Sequence, residues 1–164
     1  MHKFDEPKPI TRAEQEARGK RFIEIGRTLG FVGSMEYRHV YSRSGGGQYC
    51  IGPSHDKDVL LLYAEAFERD ADPDDFSLEA IIAHECGHQH LIRNKNLRAV
   101  LEKLSGEQFE EILASLVGSL LLGDSGSAQT LVWKATAELD QMGMPPVSTA
   151  TFIERLRGLL RKLL

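Results

Sequence analysis

The feature that most constrains this chain is the stretch His84-Glu85-Cys86-Gly87-His88, an H-E-x-x-H pattern inside a segment that reads as helix. Helical residues four apart lie on one face, so His84 and His88 can present two imidazoles to one metal ion. Glu85 lies about 100° further round the helix. Its carboxylate can therefore reach a water in an open coordination position of zinc. The pattern predicts one zinc ion per chain and the chemistry of a metal-activated hydrolase.

The residues around this pattern favour a buried helix. Ser77 is a good N-cap, and it follows the turn-forming stretch Pro73-Asp74-Asp75-Phe76. With His84 at zero on a helical wheel, His88 falls near 40° and Ile81 near 60°, so both histidines are expected to face the interior. Two alternatives stay open: core histidines without a metal, and a metal site without catalysis.

A catalytic zinc usually has three protein ligands and one water, so a third ligand must come from elsewhere. The six residues after His88 contain neither the glycine nor the third histidine of the metzincin pattern, which excludes that class. His90 projects about 200° away from His88 and cannot share its metal. The downstream carboxylates remain as candidates: Glu102, Glu107, Glu110, Glu111 and Asp124.

Helical geometry favours Glu111 among these carboxylates. A broad apolar stripe predicts a helix from about Ser105 to Leu122, with Glu110 at the edge of the stripe. Glu111 shares its face with three small residues that would let another helix approach closely, namely Ala114, Ser115 and Gly118. Glu111 is therefore the predicted third ligand, and Glu107 and Glu110 are the alternatives.

These motifs resemble those of the gluzincin peptidases, which place H-E-x-x-H on one helix and a glutamate ligand on the next. Their second motif commonly reads Glu-x-x-(Ala/Ser)-Asp, and residues 111–115 match it at the first and fourth positions. Ser115 stands where the family has an aspartate that orients a zinc-binding histidine. The phrase Ile82-Ala83-His84-Glu85-Cys86-Gly87-His88 and the helix ending in three leucines look most like the ImmA/IrrE-type metallopeptidases, over about residues 46–123.

The resemblance implies a small zincin-like core and hydrolysis of peptide bonds, with Glu85 as general base and His84, His88 and Glu111 on zinc. It also implies a specific protein or peptide substrate, such as a transcription regulator. The departure at Ser115 supports an alternative, in which the chain is a catalytically weak or inactive zinc-bound regulatory or protein-interaction module.

A second electrophile for the reacting carbonyl is normally a histidine, tyrosine or arginine. No histidine or tyrosine occurs after His90, so this group is predicted to be an arginine such as Arg155 or to come from upstream. Tyr49 and His55 are the favoured upstream residues, and for each of them a purely structural role is the alternative.

The predicted fold is α+β and mainly helical, with a short β-hairpin or small sheet packed on the H-E-x-x-H helix. Residues 1–10 are expected to be a flexible lead-in and 11–164 a single domain, whose metal-site core covers about 46–123 and whose C-terminal helices cover about 127–164. Strands are predicted at 36–42 and 48–51, paired as the hairpin. Further helices are predicted at 11–29, 96–104, 128–142 and 149–164. Residues 58–63 suit either a buried strand or the start of a helix through residue 67, and the helix is favoured slightly.

Composition narrows the partners and the compartment. The chain has a formal net charge of −4 and no basic run, so direct nucleic-acid binding is not expected. No stretch approaches the 18 or so apolar residues of a spanning helix. Cys50 and Cys86 are too few for a disulfide framework and favour the cytoplasm. The apolar C-terminal helix is expected to pack on the domain, with homodimerisation or partner docking as the alternative.

Overall fold

The computed structural model describes residues 11–42, 46–69, 77–104, 107–123, 125–143 and 146–164. In these parts of the chain it has seven α-helices, a short 3-10 turn at His55–Lys57 and three strands, which confirms the α+β, mainly helical class. The expected lead-in 1–10 lies outside the described residues, as do Pro73, Ser105 and Asp124. The elements follow in the order α1 (Arg12–Thr28), β1 (Ser34–Tyr37), β2 (Gly47–Cys50), β3 (Val59–Leu62), α2 (Ala64–Arg69), α3 (Leu78–Arg93), α4 (Lys95–Lys103), α5 (Glu107–Leu122), α6 (Gly126–Gln141) and α7 (Pro146–Leu163).

The helices begin where local capping predicts. The Thr11 hydroxyl accepts a hydrogen bond from the backbone N–H of Glu14 at the start of α1, and the Ser77 hydroxyl accepts one from Ala80 at the start of α3. Gly30, at a φ of 85°, follows α1 in the left-handed conformation that ends many helices. The H-E-x-x-H helix therefore runs as predicted.

The first strand covers Ser34–Tyr37 rather than the predicted 36–42, and the sheet also differs from the prediction in two other ways. Its strand order is β1-β3-β2, with β1 parallel and β2 antiparallel to the central strand β3. The predicted hairpin between the first two strands is wrong, because β3 lies between them. The preference for a helix from residue 58 is wrong up to Leu62, since Leu60 and Leu62 are fully buried within the central strand, and a helix begins only at Ala64.

Helix α3 lies between two apolar clusters. One contains side chains of α1, the sheet and the first half of α3, including Phe22, Leu60 and Ile82. The other contains side chains of α4 to α7, together with Leu91 near the end of α3. The helix that carries the motif is thus buried from both sides, and its position is fixed by the whole core.

The C-terminal helix packs on the domain, as the sequence predicts. Ile153, Leu156 and Leu160 of α7 are buried in the second cluster, whereas Leu159 remains 46% exposed. Homodimerisation or partner docking through this helix stays a prediction. Among the described residues, none of the helices combines the length and the apolar content needed to cross a bilayer.

Helices α3 and α5 approach closely through glycines. A Cβ atom on Gly87 would lie 2.1 Å from the carbonyl oxygen of Ala114, and one on Gly118 would lie 2.6 Å from that of Ala83. Only glycine allows these two backbones to touch. The small face of α5 predicted beside Glu111 is confirmed, and it brings that glutamate to the histidines of α3.

Candidate metal centre

Three potential ligand atoms converge at the crossing of α3 and α5. The Nε2 atoms of His84 and His88 lie 3.2 Å apart. The Glu111 carboxylate meets both rings, with one oxygen 2.9 Å from His84 Nε2 and the other 3.3 Å from His88 Nε2. Both histidines are buried and Glu111 is half exposed. The structure therefore brings together the three predicted ligands.

The other nitrogen of each ring has its own partner. Ser115 Oγ lies 2.9 Å from His84 Nδ1, and Glu110 Oε1 lies 3.3 Å from His88 Nδ1. With a metal ion at the Nε2 atoms, each neutral ring would carry its proton on Nδ1, where Ser115 and Glu110 could accept it. Without an ion, Nε2 can instead donate to the Glu111 carboxylate. Ser115 therefore contacts one of the two histidines of the H-E-x-x-H motif.

The spacing of the three ligand atoms fits a zinc ion. Tetrahedral zinc with bonds of about 2.0–2.1 Å separates neighbouring ligand atoms by about 3.3–3.4 Å. The two Nε2 atoms are 3.2 Å apart and His88 Nε2 is 3.3 Å from Glu111 Oε1, both close to this value, whereas the other carboxylate oxygen, Oε2, lies 2.9 Å from His84 Nε2. His84, His88 and Glu111 could therefore hold a zinc ion.

Electrostatics in the cluster also favour a cation. Hydrogen bonds from His84 and His88 hold the pKa of Glu111 well below its usual range, against the opposing effect of burial. Burial alone would lower the pKa of His88, but the hydrogen bond to Glu111 and the charges of Glu85, Glu111 and Glu110 together raise it. Negative charge thus dominates around the rings, which is the environment that a divalent metal requires.

Glu85 lies beside the ligands and faces a cleft of about 510 Å³. One nitrogen or oxygen atom from each of His84, Glu85 and His88 lies within 4.8 Å of the other two. Gly47 of β2 leaves room for the Glu85 side chain, because a Cβ at position 47 would lie 3.1 Å from Glu85 Cγ. The cleft is lined by α3, α5, β2 and α6, through Gly47, Gln48, Tyr49, Ile51, Ala80, Ile81, His84, Glu85, His88, Glu110, Glu111, Leu131 and Lys134.

Several other predicted residues lie away from the ligands. Glu107 is exposed at the start of α5, and Glu102 is exposed in α4, where it pairs with Arg98. His55 lines a separate pocket beside His90. Arg155 is exposed on α7 and does not line the cleft.

Tyr49 does line the cleft, but its hydroxyl donates a 2.7 Å hydrogen bond to Asp58. Burial and the neighbouring Asp58 carboxylate raise the pKa of Tyr49. A second electrophile at Tyr49 would therefore have to give up a bond to a buried charge. His55 lies in a separate pocket, so its position does not support the predicted role of second electrophile. Tyr49 could take that role only by giving up its hydrogen bond to Asp58.

Sequence reasoning missed a buried network centred on Asp58. This fully buried carboxylate accepts hydrogen bonds from Tyr49, from the backbone of Gly52, from Gln89 and twice from Arg93, at 2.6–3.1 Å. Burial acts to raise the pKa of Asp58, but these donors together hold it well below its usual range. The network joins β2, which lines the cleft, to the end of α3.

Lys134 on α6 was also missed. Of the cleft-lining residues in the described parts of the chain, it is the one with a permanent positive charge. Its Nζ lies 3.9 Å from Glu138 Oε1, one turn further along the same helix. Only tertiary packing places α6 over the metal site, so no local pattern in the sequence marks this lysine.

Comparisons with models of known protein families, with curated proteins and with solved structures found no match to this chain. The resemblance to gluzincins and to ImmA/IrrE-type metallopeptidases accordingly stays a proposal, and it depends on the motifs and on the geometry of the cluster.

Proposed function

We propose that the chain is a zinc-dependent metallopeptidase of the gluzincin type, most like the ImmA/IrrE-type enzymes. The observation that carries the proposal is the convergence of His84 Nε2, His88 Nε2 and the Glu111 carboxylate at 2.9–3.3 Å, with Glu85 beside them in an open cleft. A structural zinc site would normally be closed by four protein ligands, whereas three ligands and a cleft are typical of a catalytic one.

A bound zinc would supply a polarised carbonyl and would lower the pKa of a coordinated water toward about 7. Glu85 would take the proton of that water as general base and later deliver it to the leaving amine. Ser115 and Glu110 hold the two imidazole rings through their Nδ1 atoms, so the ligands need little rearrangement when the metal enters.

The cleft favours an extended peptide as substrate. Strand β2 pairs with β3 along one edge, and among the described residues its other edge has no strand partner. Gly47, Gln48 and Tyr49 of β2 line the cleft next to Glu85. A peptide added to this edge would receive main-chain hydrogen bonds and lie along the ligands. That its source is a transcription regulator, and that the protein acts in the cytoplasm, stay predictions from the resemblance and the cysteine content.

The alternative is a zinc-bound regulatory module that does not hydrolyse peptides. It drew support from Ser115, yet this serine lies within hydrogen-bond distance of His84. Glu85 separates the two functions, because a binding module tolerates Glu85→Gln if the metal remains bound, whereas an enzyme loses turnover.

The proposal is tested by zinc content and peptide hydrolysis on the same proteins. We expect about one zinc per chain in the wild type. Glu111→Ala should weaken zinc binding most, Glu110→Ala by about tenfold through His88, and the exposed Glu107→Ala should leave zinc binding unchanged. Glu85→Gln should retain zinc and abolish cleavage of a complex peptide library, followed by mass spectrometry.

Two results would overturn the proposal. If the wild type takes up no zinc after reconstitution, there is no metal centre. If Glu85→Gln cleaves the same library peptides as the wild type, any hydrolysis comes from a contaminant or from another site.

A further inference from the structure

The proposed reaction leaves one group unassigned. Attack of water on a peptide carbonyl places negative charge on the carbonyl oxygen, and enzymes place a donor or cation where that charge develops. Tyr49 lines the cleft but donates its hydroxyl proton to Asp58. Gln48 is exposed, and its side-chain oxygen accepts a hydrogen bond from Tyr63. Neither residue brings a positive charge to the cleft.

Helix α6 brings such a charge to the cleft through Lys134. Its start is held to the start of α3 by the hydroxyls of Ser127 and Ser77, which lie 2.7 Å apart. Leu131 follows one turn later and is buried, so α6 is fixed in position beside the H-E-x-x-H helix. Lys134 comes about one turn after Leu131 and lines the same cleft.

Glu138 is an acidic neighbour of Lys134 on the same helix. It lies one turn beyond Lys134, with a side-chain oxygen 3.9 Å from the ammonium nitrogen. Burial is the main cause that raises the pKa of Glu138, and the charges of His84 and Glu111 also act on it. Lys134 lines the same cleft as His84 and Glu111, so this face of α6 borders the predicted ligands. The Lys134 side chain is one-third exposed, so its ammonium can meet a molecule in the cleft.

We propose that Lys134 is the electrophilic residue that binds the oxyanion of the tetrahedral intermediate. This inference rests on the proposed function. The water oxygen forms a bond to the carbonyl carbon, the π electron pair moves to the carbonyl oxygen, and Glu85 receives the water proton. Lys134 stabilises the new anion without giving up its own proton. The carbon–nitrogen bond then breaks, and the proton on Glu85 goes to the leaving amine.

Two small probes test this role without a known substrate. Phenylphosphonate is a tetrahedral anion whose oxygens can meet both the metal and a cation. Acetohydroxamate chelates the metal through its two oxygens and depends less on a second cation. Isothermal titration with each probe, on zinc-loaded wild type, Lys134→Met and Lys134→Arg, gives the ratio of the two affinities. Lys103→Met is the matched control, since it removes one charge from an exposed position on α4.

We expect Lys134→Met to weaken phenylphosphonate by about 10- to 100-fold, the range for loss of one hydrogen bond to a charged group. Acetohydroxamate should change by less than about threefold, and Lys134→Arg should restore most of the phosphonate affinity. A phosphonate loss no larger than that of Lys103→Met overturns the role of Lys134, and so does an equal loss of both probes at unchanged zinc content. A wild type that binds no zinc overturns the proposed function as well, so the two failures are distinguishable.

Discussion

Replacing Asp58 by alanine should destabilise the protein more than any other single change to a charged residue outside the metal centre. The carboxylate is fully buried and receives donors from Tyr49, Gly52, Gln89 and Arg93. Removing one partner of a buried ion pair costs about 3–5 kcal/mol, because the other charge and its donors lose their acceptor. With a urea m-value of about 2 kcal/mol per molar, the midpoint of unfolding should fall by about 2 M.

The assay is urea unfolding of the metal-free protein, followed by circular dichroism. Asp56→Ala is the control, because Asp56 lies two residues away at an exposed position and accepts a hydrogen bond only from the nearby Ser54 hydroxyl among the described side-chain contacts. It should hardly move the midpoint. A midpoint shift for Asp58→Ala as small as that of Asp56→Ala would refute the argument that this network holds β2 to α3.

The pH dependence has a definite sign. Asp58 has a lowered pKa in the folded state, so its contribution to stability is fully present above the unfolded pKa of about 3.9. That contribution is lost as the pH falls below this value toward the lower folded pKa. The difference in unfolding free energy between wild type and Asp58→Asn should therefore shrink on acidification from pH 5 to pH 2.5. A difference that stays constant over this range would contradict the assigned shift.

Two other changes test the crossing of α3 and α5. Ser115→Ala should weaken zinc binding by about 10- to 100-fold without unfolding the protein, because His84 loses the partner of its Nδ1 atom. The measurement is a competitive chelator titration. Equal zinc affinity of variant and wild type would show that the serine does not orient the ring. Gly87→Ala should lower the unfolding free energy by about 1–3 kcal/mol, because its Cβ would overlap the Ala114 carbonyl. Gly158→Ala is the control and should be neutral or stabilising, because there is open space around Gly158. Similar melting temperatures for both variants would count against the close helix contact.

The parts of the fold that the sequence predicted are those with local causes. Ser77 caps α3 through a bond to a residue three positions away, and the spacing of His84 and His88 follows from helical geometry alone. Glu111 needed one tertiary assumption, that a face of small residues marks a helix contact. The glycine contacts between α3 and α5 support that assumption.

The parts that the sequence did not predict depend on partners far along the chain. The run Val59–Leu62 suits a buried strand or a helix equally, and only its neighbours β1 and β2 make it a strand. Asp58 and Arg93 are 35 positions apart, so nothing near either residue shows that it is buried and paired. The position of Lys134 was not predicted for the same reason, because only the packing of α6 places this residue in the cleft.

Helix α3 connects these observations, because its turns assign different work to different faces. His84 and His88 face α5 and Glu111, while Gly87 allows α5 to approach closely enough for that contact. Gln89 and Arg93 bond Asp58 and so hold the far end of the helix to the strand side of the cleft. The helix is thus fixed both at the turn that carries the predicted metal ligands and at its final turns. Since catalytic groups act best when their positions are set before substrate arrives, this double attachment gives the cleft the rigidity that the proposed hydrolysis requires.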